Sequence, residues 1–264
     1  RKRQSPTSNA ALRVSIFLGG VQKGGTTSLH GYLATHPSIR SGDNKELHFF
    51  DNETIDWRAP DYAQLLDRFD LGTAVPAQLV DATPIYIFWP PSVPRIHRYN
   101  PQARHIYIFR DPIDRAWSHW RMEARRGTET LPFAEAIREG RSRLPADAPT
   151  DDRWRLFSYV ERGFYGAQVA RLLDVVPRHA VLFLRSNDLQ ADHLATLRRV
   201  TDFLELPPLT TPARRDDHQA PDDGHRLSPA DAAYLANLLR ADTLEFSRLT
   251  GLPIDDWRAV REFR

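Results

Sequence analysis

The chain contains no cysteine. That excludes disulfides, thiolate metal sites and cysteine nucleophiles together, and it suits a reducing compartment. No apolar run approaches the ~20 residues that a membrane helix needs. The first residues, RKRQSPTSNA, lack the apolar core of a secretory signal. These absences set the expectation of a bacterial cytoplasmic protein, with 1–12 a flexible or trimmed leader and 13–264 a single domain. Net charge is scarce too: 36 basic and 34 acidic residues leave a formal +2. The arginines are dispersed among acids, with no basic helix carrying interleaved aromatics, which argues against a nucleic-acid partner. Lysine is the rare cation, present only as Lys2, Lys23 and Lys45. A lysine inside a glycine turn is therefore a marked choice in an arginine-rich chain.

What is present is ordinary globular material, 41% hydrophobic and 27% charged, long enough for one sizeable core. Strand-like and helix-like segments alternate, which predicts an α/β domain with a central, mostly parallel sheet flanked by helices. RVSIFLGG (13–20) reads as a buried strand, and 77–83, 104–110 and 180–185 as further strands. Helices are expected over 26–36, ending near Pro37, over 114–126, over 194–204, and from Ser228 onward. In the second of these an Asp lies near the start and arginines at the end, matching the helix dipole. In the last, Ser228 can cap, Pro229 fits the first turn and Asp231 sits at capping-box spacing. The stretches 140–153 and 207–226 are polar, rich in Pro and Asp, and read as loops of lid or binding-loop length.

The first stretch that points to chemistry is GGVQKGGTTSL (19–29), between the first strand and the first helix. It differs from the Walker order, G-x-x-x-x-G-K-[ST], because Lys23 precedes the glycines. A strand, a glycine turn and a helix N-terminus form an anion site, with amides of about residues 24–28 and the helix dipole favouring negative charge. Gly24 and Gly25 permit close backbone approach, Thr26, Thr27 and Ser28 add hydroxyls, and Lys23 can reach a terminal group. The plainer alternative is a strand–helix turn with a surface lysine, which leaves the full strand–KGGTTS–helix context unexplained.

Two further constellations are less specific alone. In NKELHFFD (44–51) an extended backbone would put Glu46 and His48 on one face, where a carboxylate and an imidazole can take a proton; a salt-bridged loop would read the same way. In YIFRDPIDRAWSHW (107–120) a strand delivers Arg110, Asp-Pro turns the chain and a helix carries Ser118. The two could converge on a phosphate, or serve as an ordinary strand-end arginine and helix serine.

Together the three stretches resemble the sulfotransferases that use 3′-phosphoadenosine 5′-phosphosulfate (PAPS), in the branch of the bacterial and heparan sulfate enzymes. The resemblance spans about 13–206, with a weaker helical match to Trp257. It implies that GVQKGGTTSL is a P-loop-like phosphosulfate-binding loop and that Arg110 and Ser118 hold the 3′-phosphate. It further implies that Glu46, His48 and Asp51 belong to the catalytic segment, beside Lys23. PAPS would be the donor and PAP the product. The segment 207–226 would correspond to a donor-covering loop, bringing His225 and Arg226 to the nucleotide, and Tyr165 would line the adenine pocket. The acceptor would be a sugar or small-molecule hydroxyl. Transfer would be in line and metal-free, with Glu46 the expected base and His48 the alternative. Partial desolvation beside Phe49 and Phe50 would raise the Glu46 pKa toward working pH.

This chain departs from the heparan 3-O enzymes in two respects. Their VEKTP-like stretch carries a lysine where VDATP has Ala82, and their disulfide-held substrate loop has no counterpart in a cysteine-free chain. Both weaken the case for a polyanionic acceptor. A P-loop kinase is the nearest enzymatic rival, with Asp81 the one candidate for a Mg²⁺ carboxylate. A non-catalytic nucleotide-binding module is the rival of another class, and it gives Lys23 and Glu46 no reason to coexist. Ten histidines invite a metal, but no H-E-x-x-H spacing appears.

Overall fold

A computed structural model describes residues 12–71, 78–210, 212–215 and 224–261. The expected leader, except Leu12, and parts of the 207–226 segment lie outside the described residues. Five strands, β1 (Val14–Gly20), β2 (Ile39–Ser41), β3 (Gln78–Asp81), β4 (Arg104–Phe109) and β5 (Val181–Arg185), form one all-parallel sheet in the order β2-β3-β1-β4-β5. The helices are α1 (Thr26–Leu33), α2 (Ala63–Leu66), α3 (Ser92–Tyr99), α4 (Pro112–Arg126), α5 (Phe133–Ala136), α6 (Arg153–Phe157), α7 (Tyr165–Leu173), α8 (Ser186–Ala191), α9 (His193–Phe203), α10 (Pro229–Thr250) and α11 (Arg258–Arg261). None of the described helices is long and apolar enough to cross a membrane.

Alternation along β4 sorts the core onto two faces. Ile106 and Ile108 pack with Leu29, Leu33, Leu197 and Val200 from α1 and α9. Tyr107 and Phe109 point the other way, into Tyr165, Val169, Phe246 and Trp257. Both faces of the sheet are thereby covered, as an all-parallel sheet requires.

The four strands read from sequence are present within a residue or two of their expected bounds. The first helix is shorter than expected, ending at Leu33 rather than near Pro37. The residue before a proline is pushed away from helical backbone. Here His36 leaves the helix, accepting from Ser38 N at 3.1 Å through Nδ1 and bonding Pro207 O at 2.9 Å through Nε2. The caps of α10 are as expected, with Ser228 Oγ accepting from Asp231 N. The 140–153 stretch is not simply a loop: it holds a 3₁₀ turn at Glu139–Arg143 and leads into α6.

The strand order reverses direction between β1 and β4. The chain leaves β1 toward β2 and β3 on one side, and leaves β4 toward β5 on the other. In open parallel sheets, such a switch point opens a crevice at the carboxyl ends of the strands. The glycine turn follows β1 and Arg110 follows β4, so both motifs border that crevice.

Candidate active site

The glycine turn is shaped by the neighbouring strand. Val21 N donates to Ile108 O at 2.9 Å, and Gly24 N to Val21 O at 2.9 Å. A Cβ on Gly24 would stand 2.5 Å from Ile108 O, so the absent side chain lets the turn lie on β4. Gly25 has φ +105° and caps α1, a conformation open to glycine. Lys23 is also in the left-handed region, at φ +67°. Its ammonium lies 3.9 Å from Met122 Sδ on α4.

That contact joins the glycine turn to α4, the helix that carries Ser118. Ser118, Met122 and Arg125 follow helical spacing and share a face of α4, the face that meets Lys23. Burial, then the charges of Arg125, Arg110, Arg126 and Lys45, hold the Lys23 ammonium below the usual lysine range. Cations gathered at the mouth of an amide-lined turn suit a polyanion. Asp111 accepts from Ile113 N at 2.8 Å and Asp114 N at 3.1 Å, capping α4 and setting where Arg110 leaves β4.

The 44–51 stretch crosses the same crevice. His48 Nε2 is 3.3 Å from Glu46 Oε2, and its Nδ1 is 2.9 Å from Asp51 Oδ2. Glu46 and His48 do share a face, but the stretch is not a regular strand: His48 sits at φ +51°. Thr83 Oγ1 accepts from Leu47 N at 3.0 Å and His48 N at 3.4 Å, and donates to the buried Asp81 at 2.6 Å. Phe49 and Phe50 turn into the core, away from Glu46.

The electrostatics reverse the expectation of a raised Glu46 pKa. Burial pushes its carboxyl up, but the hydrogen bond from His48 and the charge of Lys45 outweigh it and hold the group at about 2. Hydrogen bonds to Asp51 and Glu46 raise His48 to about 9, against the opposing effect of burial. The proton therefore resides on His48, between two carboxylates.

A polar circuit links these segments. Arg162, buried and held near 9 by desolvation and by Arg115 and Arg155, donates to Gln22 Oε1 at 2.8 Å and to Arg155 O at 2.9 Å. The Arg155 guanidinium stacks on Trp89 at 4.0 Å, and bonds Asp51 Oδ2 and, at 2.5 Å, Asp51 O. Asp51 holds His48, His48 meets Glu46, and Lys45 spans from Glu46 Oε1 (2.8 Å) to Thr26 Oγ1 (3.4 Å). Glycine loop, the 44–51 stretch and α6 are thus one connected unit.

The remaining candidates are placed variously. Thr27 and Ser28 lie on the first turn of α1. Tyr165 is fully buried, its ring against Phe109 and Phe246 and its hydroxyl donating to Arg110 O at 3.0 Å. Its ring is therefore core rather than pocket lining, and its link to the site is the Arg110 backbone. His225 packs edge-on against Trp120 at 5.9 Å, two residues along α4 from Ser118, and Arg226 donates to His225 O. Both Asp81 oxygens are engaged, by Thr83 and by Tyr86 Oη at 2.7 Å, and burial raises its pKa to about 6. Its environment is that of a structural anchor. No group of three or more potential metal-ligating side chains occurs among the described residues.

Sequence reasoning passed over Lys45, Arg125, Arg126 and Arg155. Lys45 carried a signal, the same lysine scarcity that marked Lys23. Arg125 stands seven residues after Ser118, at helical spacing. Arg155 had none, since its role depends on how α6 folds back.

The sulfotransferase-domain family model matches residues 14–219. The human heparan sulfate glucosamine 3-O-sulfotransferase 6 is 31% identical over 197 residues, covering 73% of this chain and 52% of that protein. The mouse 3-O-sulfotransferase 3B1 is 29% identical over 195 residues, covering 73% and 46%. The chain spans about half the length of these curated relatives. Among solved structures, a sulfotransferase from Alicyclobacillus acidocaldarius superposes with a TM-score of 0.76 at 26% identity, over 93% of this chain and 99% of that one.

Proposed function

The chain belongs to the sulfotransferase family, and from that premise we propose that it moves a sulfuryl group from PAPS to an acceptor hydroxyl on a sugar or small molecule. The observation that carries this reading is the circuit from Thr26 through Lys45, Glu46, His48, Asp51, Arg155 and Arg162 to Gln22. It joins a cation-rich anion turn directly to a carboxylate able to face an acceptor.

The donor supplies a sulfonate already activated by its link to a phosphate. Glycine-loop amides and the α1 hydroxyls bind that phosphate, while Arg110 and Ser118 take the 3′-phosphate. Glu46 receives the acceptor's proton as the acceptor oxygen bonds to sulfur. The bond from sulfur to the bridging oxygen breaks, its electron pair stays on the departing phosphate, and Lys23 meets that charge. A His48 that already carries a proton cannot serve as the base, so the pKa ordering favours Glu46 as acceptor and His48 as its orienting partner. An uncharged acceptor is favoured over a polyanion. Position 82 is a buried alanine and presents no cation, and Arg155 is paired with Asp51 and Asp152.

The test is PAPS-dependent gain of a sulfate mass across a panel of neutral sugars, phenols and aliphatic alcohols, with a heparan fragment for contrast. Lys23→Ala should lose about 10²–10³ in turnover while still binding PAP. Normal turnover by that variant would sink the assignment of Lys23.

A further inference from the structure

Lys45 lies between the glycine turn and Glu46. Its ammonium is 2.8 Å from Glu46 Oε1 and 3.4 Å from Thr26 Oγ1, the first residue of α1. The side chain is 21% exposed, so most of its stem is buried and the position of its charged end is restricted. Thr26 itself is 4% exposed. An ammonium has three N–H donors, and among the described residues two of them are directed at Glu46 and Thr26. That leaves a third donor for an anion on the glycine turn.

We propose that Lys45 is a further catalytic residue: it binds the sulfonate end of the donor and ties that group to Glu46. The two loop lysines then divide the work by position. Lys23 is on the turn before α1, against Met122 and the α4 arginines, the side on which the phosphates lie. Lys45 is on the acceptor side, beside the carboxylate. A sulfonate oxygen bound to Lys45 stands one ammonium away from Glu46, which sets the distance between the sulfur and the hydroxyl whose proton Glu46 takes. Bridging cations of this kind fix reacting groups relative to one another, the positioning that dominates in-line transfer between anions. This rests on the reading of the glycine turn as the donor site.

The proposal separates from a merely structural role by what Lys45 distinguishes. A lysine that only staples the 44–51 stretch to α1 would affect both nucleotides alike, since PAPS and PAP share every group except the sulfonate. A lysine on the sulfonate affects PAPS alone. The experiment is calorimetric titration of the full chain with PAPS and with PAP, without acceptor, for wild type, Lys45→Met and Lys45→Arg. Lys45→Met should weaken PAPS by about tenfold or more, the scale of one charge-assisted hydrogen bond, with PAP within about twofold of wild type. Lys45→Arg should recover part of the difference and covers the case in which the methionine variant does not fold. Equal weakening of both nucleotides, or no change in either, overturns the proposal. If wild type binds neither nucleotide, the donor reading has failed and takes the Lys45 assignment with it. If wild type binds both and the variants do not discriminate, only the Lys45 assignment fails.

Discussion

At the scale of single residues, the proposed chemistry depends on where one proton sits. His48 lies between Glu46 and Asp51, and the two carboxylates raise it from 6.5 to about 9. At neutral pH it is a cation, and Glu46 beside it is ionised. Free-enzyme kcat/KM should therefore fall as pH rises through about 9, where His48 loses its proton and its grip on Glu46. His48→Gln should lower the rate and remove that alkaline limb. Glu46→Gln, which keeps the shape but cannot accept a proton, should cut turnover by about 10²–10⁴ with PAP binding near wild type. If Glu46→Gln turned over well while His48→Gln did not, the roles would be reversed. The same shift links to stability. A folded pKa above the unfolded value stabilises fully below about 6.5, and this contribution is lost as pH rises to about 9. The melting temperature of wild type should decline over that window more than that of His48→Gln.

At the scale of elements, the site depends on how closely the glycine turn lies on β4. A Cβ at position 24 would meet Ile108 O at 2.5 Å, Val21 Cγ2 at 2.8 Å and Val21 O at 2.9 Å. Two of these are backbone atoms that cannot swing aside, so the turn itself must lift. Gly24→Ala should destabilise by about 1–3 kcal/mol, the cost typical of overpacking, and should weaken PAP because the amides move with the turn. Urea unfolding and PAP titration on the same sample check both halves. A variant with unchanged midpoint and unchanged affinity would show that the turn has slack. The α4 helix is the complementary element. Its Asp111 cap fixes the exit of Arg110, and its next turns present Ser118, Met122 and Arg125 to Lys23.

At the scale of the whole molecule, the reversal of strand order brings β1 and β4 side by side and opens their ends to one crevice. The glycine turn and Arg110 are about 90 residues apart in sequence and border one crevice because of that adjacency. A ligand held by both should tie the two halves of the sheet together. PAP at about 100 times its Kd should stabilise the fold by about 2.7 kcal/mol, which for a domain of this size is a rise of roughly 5–11 °C in melting temperature. Differential scanning calorimetry with and without PAP measures it. Added salt should reduce the rise, because the cations around Lys23 are screened. No shift at saturating nucleotide would deny that the crevice is the binding site.

Much of this was legible in the linear order of residues, because local physics determines it. A β-branched and aromatic run followed by glycines and hydroxyls becomes strand, turn and helix N-terminus wherever it occurs. Ser228-Pro229 caps a helix by its own atoms, and Asp111-Pro112 begins one. The two glycines after Lys23 marked the turn that lies on β4, and the alternation of element types indicated α/β. What only the tertiary structure decided are properties of pairs distant in sequence. The state of Glu46 also depends on the fold: its neighbours Phe49 and Phe50 suggest a dry site, whereas the fold turns both rings inward and sets Lys45 and His48 against the carboxylate. Tyr165 reads as a pocket aromatic, yet helix packing against Phe246 closes it into the core. Arg155 reaches Asp51 from 104 residues away, and no local pattern encodes that contact. Composition and spacing can specify which groups are present and which backbone they favour. Which charge faces which depends on the three-dimensional path of the chain, and a pKa, being a sum over neighbours in space, is decided there.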